Sequence, residues 1–328
     1  MTNINKSTAR LYSRLGQSGS AFGIGLINKA EVRGDIVALS ADMAKPAGLL
    51  KFSTTYPDSF FNVGIAEQNL VGIAAGIANE GYNVIASAQA CFLSMRSYEQ
   101  LRQYSGYMEL PITYIGVASG FALTYFGNTH YALEDLTLLR SIPNMTVISP
   151  SDPGQASLAI EAAIDSGKPS YIRCTGVPGM KPIYTENYNF KIGKGIILKE
   201  GPDVVIFTSG AVSINVIDAI EILEENLSIS FTVIDMHTIS PIDEEILHNS
   251  LNKKLWISVE EHFINGGLGT VISEFLSSIK AQSKPSLFRL GVKNIFSTPG
   301  DYEYLLKSND LDVDGLVREV TRIIKEAL

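Results

Sequence analysis

Cysteine is nearly absent from this 328-residue chain, with Cys91 and Cys174 the only two. Two thiols so far apart in sequence suggest neither a disulfide framework nor a four-ligand zinc site, and a reducing cytoplasm is the expected compartment. Runs of positive charge are missing too. Lys plus Arg number 26 against 34 Asp plus Glu, a balance that argues against a nucleic-acid scaffold. Long apolar stretches are also lacking: residues 70–78 form one of the longest, well below the roughly 20 residues that a spanning helix needs. The start, Met1-Thr2-Asn3-Ile4-Asn5-Lys6, has no apolar core of a signal peptide. Neither a membrane nor a nucleic acid is therefore expected as a partner. There is no Walker-type glycine loop, and Gly266-Gly267-Leu268-Gly269 does not meet the dinucleotide fingerprint.

What is present describes a well-buried globular protein, with 45% hydrophobic and 18% charged residues. The length fits two domains of about 150 residues each. Short β-rich runs at 35–39, 83–86, 112–117, 146–148 and 170–173 alternate with helical patterns near 66–80, 93–108, 133–141 and 153–167. Such alternation predicts βαβ units and a mainly parallel sheet. Pro153 suits a first helical turn capped by Ser151 or Asp152, and Gly167 closes that helix. Around 176–189 the pattern dissolves into Gly176, Pro178, Gly179 and Pro182, the best linker candidate. A second series follows, with strands near 203–207, 230–234, 255–259 and 287–290 and helices near 211–226, 268–280 and 312–327. Val313, Leu316, Val317, Val320, Ile323 and Ile324 give the last helix one apolar face.

One carboxylate stands out in Phe61-Asn62-Val63-Gly64-Ile65-Ala66-Glu67-Gln68-Asn69-Leu70, within an almost uncharged run over 60–78. Burying an ionised carboxylate alone is expensive, so such a group finds a partner or shifts its pKa upward and stays protonated. A carboxyl group held that way can give a proton to a ring nitrogen and take it back. From the residues alone, a helix-start carboxylate stabilised by the helix dipole is the plainer alternative.

The run resembles the pyrimidine-binding half of transketolase, where a Gly-Ile-Ala-Glu-Gln-Asn segment supplies the glutamate that faces the aminopyrimidine ring of thiamine diphosphate. Ser40-Ala41-Asp42, Phe92-Leu93, Arg96-Ser97-Tyr98-Glu99-Gln100, Thr129-His130, Glu134-Asp135, Ile142-Pro143-Asn144 and Tyr171-Ile172-Arg173 stand in the family's order. Asp235-Met236-His237-Thr238-Ile239-Ser240-Pro241 and Glu260-Glu261-His262, followed by the Gly266 turn, resemble its C-terminal domain. The resemblance covers nearly the whole chain. It implies an α/β protein of two doubly wound domains with mainly parallel sheets: a pyrimidine-binding domain over 1–175, a linker over 176–192 and a transketolase C-terminal-like domain over 193–328.

Residue roles follow from the same resemblance. Glu67 is the expected proton relay to thiamine diphosphate, and Phe92 the ring that stacks on its pyrimidine, with Met95 a soft filler beside it and Gln89 a neighbour. Asp42 is expected near the thiazolium ring and the partner subunit; a turn-capping aspartate is the alternative. His130 matches the histidine that reaches substrate oxygens, where imidazole suits proton movement near neutral pH. Arg173 matches the arginine that grips a sugar phosphate, since guanidinium pairs well with a tetrahedral oxyanion. Arg96 and Tyr98 are expected at an interface. Gly72, Ala75, Gly76 and Ala78 allow close approach, either to a second subunit or to the chain's own sheet. His237 and His262 are read as structural or interface groups, and His248 as a surface residue.

Three departures from the family pattern bear on substrate and partners. The serine expected after Ser40-Ala41-Asp42 gives way to Lys45-Pro46, leaving Lys45 as a replacement charge. No histidine occurs near Ala118-Ser119, and Phe126 stands where an aspartate is expected. An unusual sugar or acid substrate is implied. The Gly-Asp-Gly start of the family's metal and diphosphate site is also missing, because Gly34-Asp35-Ile36 and Gly300-Asp301-Tyr302 fail at the third position. A partner is therefore expected: a separate N-terminal transketolase subunit that supplies the Mg2+ or similar ion and the diphosphate site, in an α2β2 heterotetramer. The expected function is ketol transfer from a ketose donor to an aldehyde acceptor. The rivals are the β subunit of a 2-oxoacid decarboxylase-dehydrogenase, a deoxyxylulose-phosphate-synthase-like enzyme, and a non-catalytic scaffold.

Overall fold

β-Branched and aliphatic runs build two sheets in the computed structural model, which describes residues 2–175, 177–280 and 284–327. In chain order the strands are β1 (Ile36–Ser40), β2 (Phe60–Asn62), β3 (Asn83–Gln89), β4 (Ile112–Val117), β5 (Thr146–Ile148) and β6 (Ser170–Arg173). They continue with β7 (Ile196–Lys199), β8 (Val204–Ser209), β9 (Phe231–Asp235), β10 (Thr238–Ser240), β11 (Leu255–Phe263) and β12 (Ser286–Val292). The first sheet runs β10-β5-β6-β4-β3-β1-β2 and the second β12-β11-β8-β9-β7. All pairings are parallel except β10 with β5 and β7 with β9. The expected α/β class with two mainly parallel sheets holds.

Alternation along the strands sorts the first core into two layers. Val37, Leu39, Val84 and Ala86 face Leu70, Val71 and Ala74 of the Glu67–Asn79 helix, while Ile36, Ala38, Ile85 and Ile172 face Phe22, Leu26 and Ile160. Both faces are covered, as a parallel sheet requires. The first layer runs on without a break into Val205, Phe207, Trp256 and Leu268 of the second half. The far face of the second sheet packs Val204, Ile206 and Ile257 against Val216, Leu316 and Val320.

Several elements differ from the sequence reading. The expected helix over 93–108 is three pieces: Ala90–Arg96, Tyr98–Leu101 and a π-helical turn at Arg102–Tyr107. Ser97 marks the break, with φ −107° and its hydroxyl donating to Leu93 O at 2.6 Å, a local bond that competes with the helical ladder. A Lys6–Ser20 helix, closed by an Asn5–Thr8 capping box, was not anticipated. Nor was β10, which leaves the second half to pair with β5 at the edge of the first sheet. Asp152 caps the Pro153–Ser166 helix by accepting the Gln155 N–H at 2.7 Å, and Gly167 ends it with φ +59°. Gly176, where the expected linker starts, lies outside the described residues; 177–192 carry no helix or strand. That segment is nonetheless docked, with Tyr184 buried and its hydroxyl donating to Asp235 at 2.6 Å.

Candidate active site

The carboxyl ends of β1, β3 and β4 lie side by side in the first sheet, which is where open α/β sheets present ligand groups. From β1 the chain enters a turn with Asp42 at φ +57°. The exposed Asp42 carboxylate accepts from Asn62 Nδ2 at 3.1 Å, and Asn62 Oδ1 accepts the Asp42 and Gly64 N–H groups at 3.1 and 3.0 Å. The loop leading to Glu67 is thereby tied to the end of β1. Asp42 acts here as a turn anchor.

Glu67 opens the Glu67–Asn79 helix and is only 5% exposed. Its partner is Arg96, whose Nη1 lies 3.2 and 3.1 Å from the two carboxylate oxygens. Gln68 reaches the same place by donating to Arg96 O at 3.0 Å. A pocket of about 500 Å³ opens over Ile65, Glu67, Asn69 and Arg96. Arg96 also stacks on Phe92, with the guanidinium carbon 3.7 Å from the ring centroid, a cation–π geometry. The sequence reading assigned Arg96 only an interface role. In the fold one planar cation engages both the carboxylate and the aromatic face.

Phe92 in turn meets His130, their centroids 5.3 Å apart at 67°, and Phe126 lies 5.0 Å from the same imidazole. Thr129 Oγ1 and His130 Nδ1 share a hydrogen bond of 2.9 Å, which leaves Nε2 as the ring nitrogen outside that bond. Glu67, Arg96, Phe92 and His130 thus form one continuous surface. Met95 is exposed beside them. Lys45 is exposed on the turn after β1, Ala44–Ala47. Gln89 points inward, 8% exposed, its amide donating to Cys91 Sγ at 3.4 Å. Gly72 and Gly76 face open space, whereas Ala75 and Ala78 pack into the core. The outward stripe and the inward one are different residues of the same helix.

Arg173 requires a correction. Expected to grip an anionic substrate, it is 3% exposed and satisfied within the chain. Its Nε lies 3.1 and 3.0 Å from the two Asp135 oxygens, and its Nη2 donates to Ala132 O and Glu261 O at 2.9 Å each. Burial opposes its charge, but the Asp135 and Glu261 carboxylates outweigh that and hold its pKa above the ordinary arginine value. Tyr171 donates to Asp135 at 2.7 Å. The cluster is a seam between the halves, and no local motif signals that Asp135 would consume the arginine.

Burial also pushes Glu260 up to about 7, even though it accepts the Leu268 and Gly269 N–H groups, and pushes His262 and His237 down to about 4. His237 stacks on Phe190 at 4.4 Å, and His248 is exposed next to Phe275. Both thiols are buried and raised to about 12, too high for reactivity near neutral pH. Among the described residues no cluster of three or more His, Cys, Asp or Glu side chains is arranged to hold a metal. No helix there is long and apolar enough to cross a membrane.

The family model for the transketolase pyrimidine-binding domain matches residues 17–176, and that for the transketolase C-terminal domain matches 193–316. The chain belongs to the transketolase family. A transketolase C-terminal section from Methanocaldococcus jannaschii is 34% identical over 93% of this chain and 95% of that protein. One of the subunits of the apulose-4-phosphate transketolase of Actinobacillus succinogenes is 32% identical over 86% of this chain and 90% of its own length. A solved split-gene transketolase, described as an inactive β4 tetramer, aligns with a TM-score of 0.84 at 32% identity, over 95% of this chain and 99% of that one. The two transketolase domains and their order are those read from the sequence.

Proposed function

We propose that this chain is the pyrimidine-binding and C-terminal subunit of a two-component transketolase, which moves a two-carbon ketol unit from a ketose donor to an aldehyde acceptor. One observation carries the reading: a buried carboxylate, Glu67, faces a pocket that it lines with Ile65, Asn69 and Arg96, and the Arg96 guanidinium links that site to Phe92 and, through it, to His130. Such a site fits the aminopyrimidine half of thiamine diphosphate, an apolar ring with hydrogen-bonding nitrogens. When bound, that cofactor supplies the nucleophilic carbon on which the ketol unit is carried.

The chain's own groups then have separate tasks. Glu67 holds and moves a proton at the pyrimidine ring nitrogen. Phe92 stacks on the ring once the Arg96 guanidinium yields its place. His130 passes protons to and from substrate oxygens through Nε2. The diphosphate and its divalent ion, Mg2+ or a similar one, are assigned to an N-terminal partner subunit in an α2β2 heterotetramer. The sequence has no Gly-Asp-Gly start for such a site. Two relatives of similar length are named as subunits of transketolases for apulose 4-phosphate and for 6-deoxy-6-sulfo-D-fructose. A non-standard sugar fits this chain as well, because Arg173 is withdrawn from the pocket and Lys45 and Arg96 are the cations near the ends of β1 and β3.

Reconstitution tests the proposal. Thiamine diphosphate and Mg2+ are titrated against this chain, the partner and their mixture, and the mixture is screened for ketol transfer with ketose donors. Binding and transfer are expected only in the mixture. Tight magnesium-dependent binding by the isolated chain refutes the split site, and pyruvate consumption without ketol transfer assigns deoxyxylulose-phosphate-synthase chemistry instead.

A further inference from the structure

His130 sits on the segment 120–132, which closes on itself: Gly120 N–H donates to Ala132 O at 3.0 Å and Ala132 N–H to Gly120 O at 3.1 Å. Although this loop follows a strand of the first sheet, its interior belongs to the second. Phe121, Tyr131 and Leu133 are buried in the core formed by β8, β9 and β11. At its base the loop meets Glu261 of β11, which is 1% exposed. The Glu261 carboxylate accepts the Phe121 N–H at 2.7 Å on one oxygen and the Tyr302 hydroxyl at 2.6 Å on the other. Gly120 has φ +61°, and a side chain there would overlap that carboxylate, so glycine is needed on both counts. Arg173 Nη2 bridges Ala132 O and Glu261 O, and the Phe263 N–H donates to Leu133 O at 3.1 Å. At the tip, Asn128 Nδ2 donates to Ser297 O at 2.8 Å and its Oδ1 accepts the Ser297 N–H at 3.1 Å.

We propose that the C-terminal half serves the reaction through this loop, with Glu261 and Asn128 as positioning residues that hold His130 against the Phe92 wall. The inference rests on the role given to His130 in ketol transfer. Phe121 and Tyr131 root the loop in the second core, but its tip is open, with Tyr125 and Phe126 exposed by 73% and 66%, and the bonds that tie it to the C-terminal half come from 261, 263 and 297. A displacement of about 1 Å in a reacting group can cost about a hundredfold in rate.

The test compares Asn128→Ala, Asn128→Asp, Glu261→Ala and Glu261→Gln with the parent, each assembled with the partner subunit. Three quantities are read: amide hydrogen exchange over 120–132, kcat, and the dissociation constant of thiamine diphosphate. Asn128→Ala and Glu261→Ala are expected to lose about tenfold or more of the protection over 120–132 and about 10- to 100-fold in kcat. Cofactor affinity should stay within about threefold, because Glu67 and Phe92 lie outside the loop. Glu261→Gln retains an acceptor for the Phe121 N–H and should recover most of both losses. If Glu261→Ala does not fold, the two Asn128 variants decide, since the hydrogen bonds of that side chain among the described residues go to the backbone of Ser297. Unchanged exchange overturns the clamp, and a loosened loop with unchanged kcat overturns its part in the reaction. An inactive parent complex is a different failure, that of the transferase reading, and shows before any substitution is made.

Discussion

Glu67→Gln separates chemistry from folding because the structure gives the two very different magnitudes. The substitution is nearly isosteric and keeps the start of the helix. It removes an ion pair whose arginine is 48% exposed, so Arg96 returns to water and the loss is about 0.2–1 kcal/mol. Removing a negative charge from the first helical turn costs about 0.3–1 kcal/mol more. Together these stay below about 2 kcal/mol. A proton relay is worth about 10²- to 10⁴-fold in rate, or about 3–5 kcal/mol of barrier. The assay pairs urea unfolding of the chain with turnover of the assembled enzyme. A midpoint close to the parent's with turnover down by two orders of magnitude or more is the expected result. Retention of most turnover refutes the relay, and a matching collapse of stability refutes the separation argued here.

Other groups give further checks. Arg173→Met leaves Asp135 buried without its cation, and breaking such a pair costs about 3–5 kcal/mol, visible as a lowered urea midpoint; unchanged stability with a selective loss of anionic-donor binding would restore the anion-gripping role. His237 and His262, held near 4 against an ordinary 6.5, bind fewer protons folded than unfolded between those values. Each therefore withdraws about 3 kcal/mol of stability as pH falls through that window. Glu260, near 7 against 4.5, has the opposite slope and loses stability as pH rises from about 4.5 to 7. Asp152, Asp235, Glu134 and Glu261, raised by burial, share the Glu260 slope, so the histidine contribution is read as a difference: from pH 7 to pH 4 the urea midpoint of His262→Gln should gain on that of the parent, and an identical slope in that variant contradicts the assignment.

Much of the fold was legible because buried parallel strands announce themselves as aliphatic runs such as Ile112–Val117, and helices such as Val313–Ala327 show an apolar stripe. Two three-residue elements were not: β2, Phe-Phe-Asn, and β10, Thr-Ile-Ser, lack the aliphatic run that gives away the equally short β5, Thr-Val-Ile. The Lys6–Ser20 helix was hidden by its polar sequence, in which Ala9 and Tyr12 are the apolar residues that become buried. Glu67, Phe92 and His130 stand out in the sequence because their local motifs are distinctive, and in the fold Arg96 and Phe92 link them in one chain of contacts. Arg173 could not be judged that way. Whether a guanidinium meets a ligand or a neighbour depends on Asp135 and Glu261, which become its neighbours only in the folded chain. The same holds for Arg96, whose contact with Glu67 spans two helices.

The small strand Thr238–Ser240 reaches further than its size suggests. By lending it to the edge beside Thr146–Ile148, the later half of the gene completes a sheet begun by the earlier half. A protease nick between 177 and 192 would open the backbone yet leave two fragments that travel together until denatured, each missing part of its neighbour's hydrogen-bonded edge. Shuffling either half into another protein would leave that ladder unpaired on both sides.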